Sequence, residues 1–185
     1  MDHNWENQHE LPVNHIHQMS AVLTDMSNTI HYNSQATLIA NAQKESKLKH
    51  FIETSCHNDI NEYLQLVKNR QSRSTIAKIR TGVLDLAIEV GRRKNIPVES
   101  RICTQCNNNQ VEDELHFMFI CSAYSPERHH FNNTCSSHIN DFNMMSATDK
   151  YISIMNCSNQ ELLNQFGKYL SNIHQIRKNV NIISQ

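Results

Sequence analysis

Residues 101–121 read RICTQCNNNQVEDELHFMFIC. Cys103 and Cys106 form a C-x2-C pair, and His116 and Cys121 follow with four residues between them. A C-x2-C turn aims two thiolates at one point, as a tetrahedral zinc site needs. The intervening segment, residues 107–115, is long enough to return the chain, and His116 and Cys121 then supply two more donors at a spacing seen on helix ends. A set of four protein ligands (Cys103, Cys106, His116, Cys121) closes the site, so one structural Zn2+ is expected rather than a catalytic one. The competing readings are redox chemistry at C-x-x-C, which needs a thioredoxin-like βαβ context foreign to this pattern, and three buried thiols beside a hydrogen-bonded histidine.

The spacing carries a geometric condition. Residues five apart on an ideal α-helix are offset by about 140° in angle and about 7.5 Å along the axis, too far to share one ion comfortably. The helix beginning near Glu112 is therefore expected to tighten or end around Cys121. Leu115, Phe117, Phe119 and Ile120 are too apolar to stand in water and should brace the metal from the core side. Structural zinc supplies on the order of 10–16 kcal/mol of apparent folding free energy in small modules. That matters in a chain whose apolar content is only 38%.

Outward from this stretch the pattern is helical. Upstream, Leu38, Ile39, Ala42, Leu48, Phe51 and Ile52 fall near the 3.6-residue period. Asn58 or Asp59 caps a run carrying Ile60, Tyr63, Leu64 and Val67. A third stripe holds Ile76, Ile79, Val83, Leu86, Ala87 and Val90, with a kink expected at Gly82 and a stop at Asn95 and Pro97. Downstream, Ser125-Pro126 marks a helix start with serine as N-cap, and Ser158 and Glu161 form a capping box. The helix opened there aligns Leu162, Leu163, Phe166, Tyr169, Leu170, Ile173 and Ile176.

The expected fold class is all-α, a bundle-like arrangement with one small zinc-stabilised irregular module. Its expected parts are a flexible polar tail over residues 1–33 with one short helix near Met19–Met26, a helical segment with a basic stretch over 34–98, the zinc-binding module over 99–131, and a C-terminal helical segment over 132–185. Asparagine occupies 23 positions and favours caps and turns. The histidines of the tail, His3, His9, His15 and His17, read as solvated. A second metal site from Cys135 with His129, His130 and His138 is weighed against a polar helix face, and the face is preferred. Cys56 and Cys157 read as partly buried thiols.

No run of 18 apolar residues suggests a membrane span, and the start MDHNWENQHE lacks the basic and apolar regions of a secretory signal. An intracellular location, nuclear or cytoplasmic, is the expectation. Net charge is −1, so any polyanion must be met by a local patch. Lys68 to Arg101 provides one, with nine basic residues against three acidic. Arg80, Arg92, Arg93, Lys94 and Arg101 are the candidates for nucleic-acid phosphate contact. The alternative is a solvated helix face whose charges complement helix dipoles. No aromatics interleave the cluster, so a base-stacking platform is not expected.

The run RTGVLDLAIEVGRRKNIPVESRICTQCNNNQVEDELHFMFICSAYSPERHHF resembles the zinc-binding region that follows the polymerase in non-LTR retrotransposon reverse transcriptases. The resemblance rests on Arg80-Thr81-Gly82, Leu86, Ile88-Glu89, Gly91-Arg92, Ile96-Pro97, Arg101, the ligand pair Cys103 and Cys106, the acidic stretch Glu112–Glu114, His116-Phe117, Cys121, Tyr124 and Arg128. Leu84 stands where a histidine is common in that family, and Ser122 where a proline is common. The resemblance implies zinc and a role in handling RNA or DNA, beside a reverse transcriptase polymerase region. It does not imply polymerase activity here, because no Y-x-D-D motif occurs. Asp141, Asp149 and Lys150 lack the spacing of a nuclease metal site, and no glycine-rich phosphate loop is present. The expectation is thus a non-catalytic module with neither a membrane nor a small-molecule substrate as partner. Its alternatives are a zinc-stabilised protein-interaction module and a decayed retroelement fragment.

Overall fold

The structure, a computed structural model, describes residues 13–43, 49, 53, 54 and 62–183. Two compact units emerge, Met1–Lys44 and Glu45–Gln185. The described part of the first is one helix, α1 (Val13–Gln43). It is far longer than the short helix expected near Met19–Met26, and it runs across the position where the polar tail was expected to end. Its middle is uncharged apart from Asp25, so no charge repulsion opposes the helix. Val22, Leu23, Met26 and Ile30 are exposed on it. The caps expected at Asn58 or Asp59 and the thiol of Cys56 lie outside the described residues.

The second unit contains α2 (Glu62–Leu66), α3 (Arg70–Arg80), α4 (Ala87–Arg93), α5 (Ser125–Ser136), α6 (Ala147–Met155) and α7 (Gln160–Ile183). Among the described residues there is no strand, only an isolated antiparallel bridge between Ile102 and Val111. The all-α class holds. No described helix is long and apolar enough to cross a membrane.

Asparagine shapes the element ends. The side chain of Asn69 caps α3 by accepting from the Ser72 N–H at 3.0 Å. That of Asn159 caps α7 by accepting from the Leu162 N–H at 3.0 Å, so the cap falls one residue beyond the expected Ser158. Asn95 and Asn109 take the left-handed backbone that asparagine tolerates better than most residues. The expected kink at Gly82 is a full break: its φ is +58°, α3 ends at Arg80, and α4 begins only at Ala87. Ser125 lies inside α5 rather than capping it, and its Oγ accepts from Arg128 instead.

The core gathers on α7. Leu162, Leu163, Phe166, Leu170 and Ile173 are buried there against Ile76 and Ile79 of α3, Phe131 of α5 and Tyr151 and Ile154 of α6. The Phe131 ring stacks on Tyr169 at 4.6 Å between centroids. Helices α3 and α7 lie side by side, and residues that meet along them rise in number together, so the two point the same way. The Leu66 carbonyl accepts from Gln160, the Lys68 N–H donates to Asn164, and Ser72 meets Gly167. At that last crossing a Cβ on Gly167 would stand 2.5 Å from Ser72 Cβ, so only glycine lets the helices approach this closely.

Gly167→Ala is therefore expected to lower stability by about 1–3 kcal/mol through overpacking, although alanine is the better helix former. Adding Ser72→Gly should recover much of the loss. Urea unfolding of the single and double variants checks this, and an unchanged or stabilised Gly167→Ala would refute the close crossing.

Candidate metal centre and neighbouring basic residues

The segment from Arg101 to Cys121 folds as a short hairpin followed by one unusual helical turn. The Cys103 N–H donates to the Gln110 carbonyl at 2.8 Å, and the Glu112 N–H to the Arg101 carbonyl at 3.0 Å. These bonds flank the Ile102–Val111 bridge and hold Cys103 and Cys106 in the loop it closes. The Gln105 N–H points at Cys103 Sγ, 3.4 Å away.

The helical turn then carries the other two candidate ligands. Asp113 Oδ1 accepts from the His116 N–H at 2.7 Å and starts the turn. From His116 to Ile120 the backbone is π-helical, and the Cys121 N–H donates to the His116 carbonyl at 2.8 Å. The helix ends at Cys121 as expected, but it widens rather than tightens. The wider turn suits the ligand spacing. An i→i+5 hydrogen bond stacks residues five apart over one another, where an α-helix would splay them.

The result is convergence. The ligand atoms of Cys103, Cys106, His116 and Cys121 all lie within 4.8 Å of one another and could hold a metal ion. Cys103 Sγ is 3.8 Å from Cys121 Sγ, and Cys106 Sγ is 3.4 Å from His116 Nε2. Cys103, His116 and Cys121 are buried, while Cys106 sits at the rim. Burial pushes the Cys121 thiol up to about 12 and raises Cys103 as well. Cys106 is also pushed up by burial, but the Asn108 and Ser122 N–H groups and the neighbouring thiols outweigh this and leave it lowered. Burial depresses His116, which favours the neutral imidazole that can ligate. A divalent cation bound here would displace the thiol protons and stabilise the thiolates.

Sequence reasoning missed what ties this centre to the bundle. Glu112 forms a bidentate pair with Arg177 of α7, Oε1 to Nε and Oε2 to Nη2, both at 2.8 Å. The same carboxylate accepts from the Ala87 N–H at 2.7 Å, and the Glu112 carbonyl accepts from the Ile88 N–H at 3.1 Å. Burial works against the Arg177 charge, but Glu112 outweighs it and the pKa is raised. Tyr169 of α7 donates its hydroxyl to the Met118 carbonyl inside the π-helical turn. Arg128 of α5 donates to the Cys121 carbonyl at 2.7 Å. One signal was available for Arg177: it continues the apolar positions Phe166, Leu170 and Ile173 at spacings of three and four, where a lone cation asks for a buried partner.

The basic candidates divide sharply. Arg80 is 2% exposed, lies over the Tyr63 ring at 5.4 Å and donates to the Thr54 carbonyl. Arg101 lies across Gly91, where a Cβ would meet its Cγ at 2.5 Å, and donates to the Ile96 and Ile88 carbonyls. Neither guanidinium is free to meet a phosphate, because each is committed to packing its own segment. Arg92 pairs with Glu89 at 2.5 Å and Arg93 with Asp85 at 2.6 Å, and Lys94 is exposed.

Cys135 is buried, while His129, His130 and His138 are exposed and turned to Asn133, to solvent and to Asn159. Among the described residues the single group of three or more potential ligands in reach of one another is Cys103, Cys106, His116 and Cys121. The class defined by fold and site is thus an all-α chain bearing one Cys3His cluster that could hold a metal. No family model, curated protein or solved structure matches the chain.

Replacing one partner of a buried ion pair leaves the other charge stranded at a cost of about 3–5 kcal/mol. Glu112→Gln should lose stability on that scale, and Glu112→Gln with Arg177→Met should recover a large part. Urea unfolding monitored by far-ultraviolet dichroism measures both. Equal losses in the single and double variants would show that the pair does not anchor the centre.

Proposed function

We propose that the chain is a non-catalytic, zinc-clasped module of retroelement origin that grips RNA or DNA beside its metal centre. The observation that carries this reading is the meeting of the four donor atoms. With Zn–S near 2.3 Å and Zn–N near 2.0–2.1 Å, tetrahedral angles separate two sulfurs by about 3.8 Å and a sulfur and a nitrogen by about 3.5 Å. The Cys103–Cys121 and Cys106–His116 separations, 3.8 and 3.4 Å, fit those edges. Side chains fill all four positions, so no open position remains for a substrate and the ion serves the fold.

Nucleic-acid contact is supported by Arg93 and Lys94, exposed at the end of α4, with Arg92 half-buried beside them. Arg93 keeps 61% of its side chain in solvent despite its pair with Asp85, and exposed pairs of this kind are weak enough to exchange partners. Such contacts position a phosphate backbone and read no sequence. The resemblance of residues 80–131 to the retrotransposon zinc region points the same way.

A second reading, docking on a reverse transcriptase polymerase region or another protein, draws on one observation. Val22, Leu23, Met26 and Ile30 of α1 are each more than half exposed. The apolar stripe of α7 does not serve this reading, because it is buried within the chain from Leu162 to Ile173.

Elemental analysis of the purified protein should find one zinc per chain, and Cys103→Ser should abolish stoichiometric retention. A fully folded, metal-free wild type would sink the zinc assignment. Acidification should release the ion, because protons compete for the thiolates and imidazole. In filter binding at two salt concentrations, the wild type should hold RNA or DNA more tightly at low salt, and Arg92→Ala/Arg93→Ala/Lys94→Ala should weaken it several-fold. No binding at low salt, or no effect of the triple variant, would overturn the proposed grip.

A further inference from the structure

Two exposed lysines of the helical unit flank one histidine outside the stretch around Arg92. The shared direction of α3 and α7 sets a register through Lys68/Asn164 and Ser72/Gly167. Continued toward the C-terminal ends, that register brings Lys78, six residues beyond Ser72, alongside His174, seven beyond Gly167. Lys178 follows His174 by four residues, one turn along the same face. Lys78 and Lys178 are exposed and His174 is half-buried.

The charges facing His174 are Lys78 from α3, Arg177 and Lys178 from α7 itself, and Asp85 from the loop before α4. Burial first, then Lys178, Lys78 and Arg177, holds the imidazole down at about 4 against the opposing pull of Asp85. Asp85 is paired with Arg93, and Arg177 with Glu112. No salt bridge engages Lys78 or Lys178 among the described residues. Lys78 has a local reason to be present, since it lies in the last turn of α3 and complements the helix dipole. Lys178 has none, because α7 continues to Ile183. Like charges facing one another across a helix pair destabilise it, and an anion between them removes that repulsion.

We propose that Lys78, His174 and Lys178 form a phosphate-binding site on the exposed α3–α7 face. Two mobile ammonium groups act as point charges on the phosphate oxygens, and the imidazole, once protonated beside the anion, donates a third hydrogen bond. The source of the phosphate is either the backbone of a bound nucleic acid, which rests on the function proposed above, or a free phosphate, which does not.

The test titrates the imidazole C–H resonances of His174 with pH, in sodium chloride and in inorganic phosphate at equal ionic strength. The phosphate series should move its pKa up by about one unit, the direction in which an adjacent anion stabilises imidazolium. Lys78→Gln/Lys178→Gln should erase the difference between the two salts, whatever its own baseline. An identical His174 pKa in both salts for the wild type overturns the site. A second arm measures RNA binding by the same variant. A roughly tenfold loss, with a salt slope shallower by about 1.4 for two fewer phosphate contacts, identifies the nucleic-acid backbone as the source. Unchanged RNA affinity with an intact phosphate shift identifies a free phosphate. A phosphate shift without any RNA binding by the wild type supports the site and refutes the nucleic-acid reading.

Discussion

One carboxylate holds three segments in place. Glu112 receives the guanidinium of Arg177 from α7 and the N–H of Ala87 at the start of α4, while its own backbone belongs to the hairpin that carries Cys103. A charge at 1% exposure survives because both oxygens are answered, by a guanidinium and a backbone N–H. The pair therefore joins the Cys3His cluster to the longest described helix of the unit. Without it the ligand loop would keep its ties to α4 through Arg101 and the Glu112 carbonyl, but on the α5 and α7 side it would rest on Arg128, Tyr169 and the apolar contacts of Phe117 and Met118.

The Cys3His cluster and the bundle depend on each other through this link. The ligand-bearing turn is short, and helices so short are marginal by themselves. Its buried side, Phe117 and Met118, completes the core, and Phe117 meets Tyr124 edge to face at 5.4 Å. A metal would fix the outer side, where Cys103 and Cys121 approach each other. Folding of the loop, docking on α7 and ligation are thus expected to be one cooperative event rather than three.

Much of the site was legible because its chemistry is local. Cysteine and histidine at ligand spacing state their purpose in any sequence, and the four residues do meet. The helical class was legible from the stripe on α7, whose positions Leu162 to Ile173 are all on the core side. What could not be read was the partnership of distant charges. Arg80, Arg101 and Arg177 are ordinary basic residues in sequence, and their burial depends on Tyr63, Gly91 and Glu112 being brought to them by the fold. The π-helical turn was half legible: the spacing of His116 and Cys121 ruled out a regular α-helix, but did not say whether the turn would narrow or open. Caps slipped by one residue because asparagine and serine stand next to each other at 158–159, and both can do the work.

The widened turn sets an unusual tolerance pattern. An extra backbone position is held between the two C-terminal ligands, and removing any one residue from 117–120 would let the ordinary i→i+4 ladder reform. That shortened helix would be the better helix, and it would keep the histidine and the last thiol on one face, about 40° apart around the axis. Ligation alone therefore does not fix the length of this segment; the core beneath it does. Ile120, 44% exposed, can vary freely, whereas a single-codon deletion there would cost the packing of Phe117 and Met118, which the wider turn places in the core, before it cost a ligand.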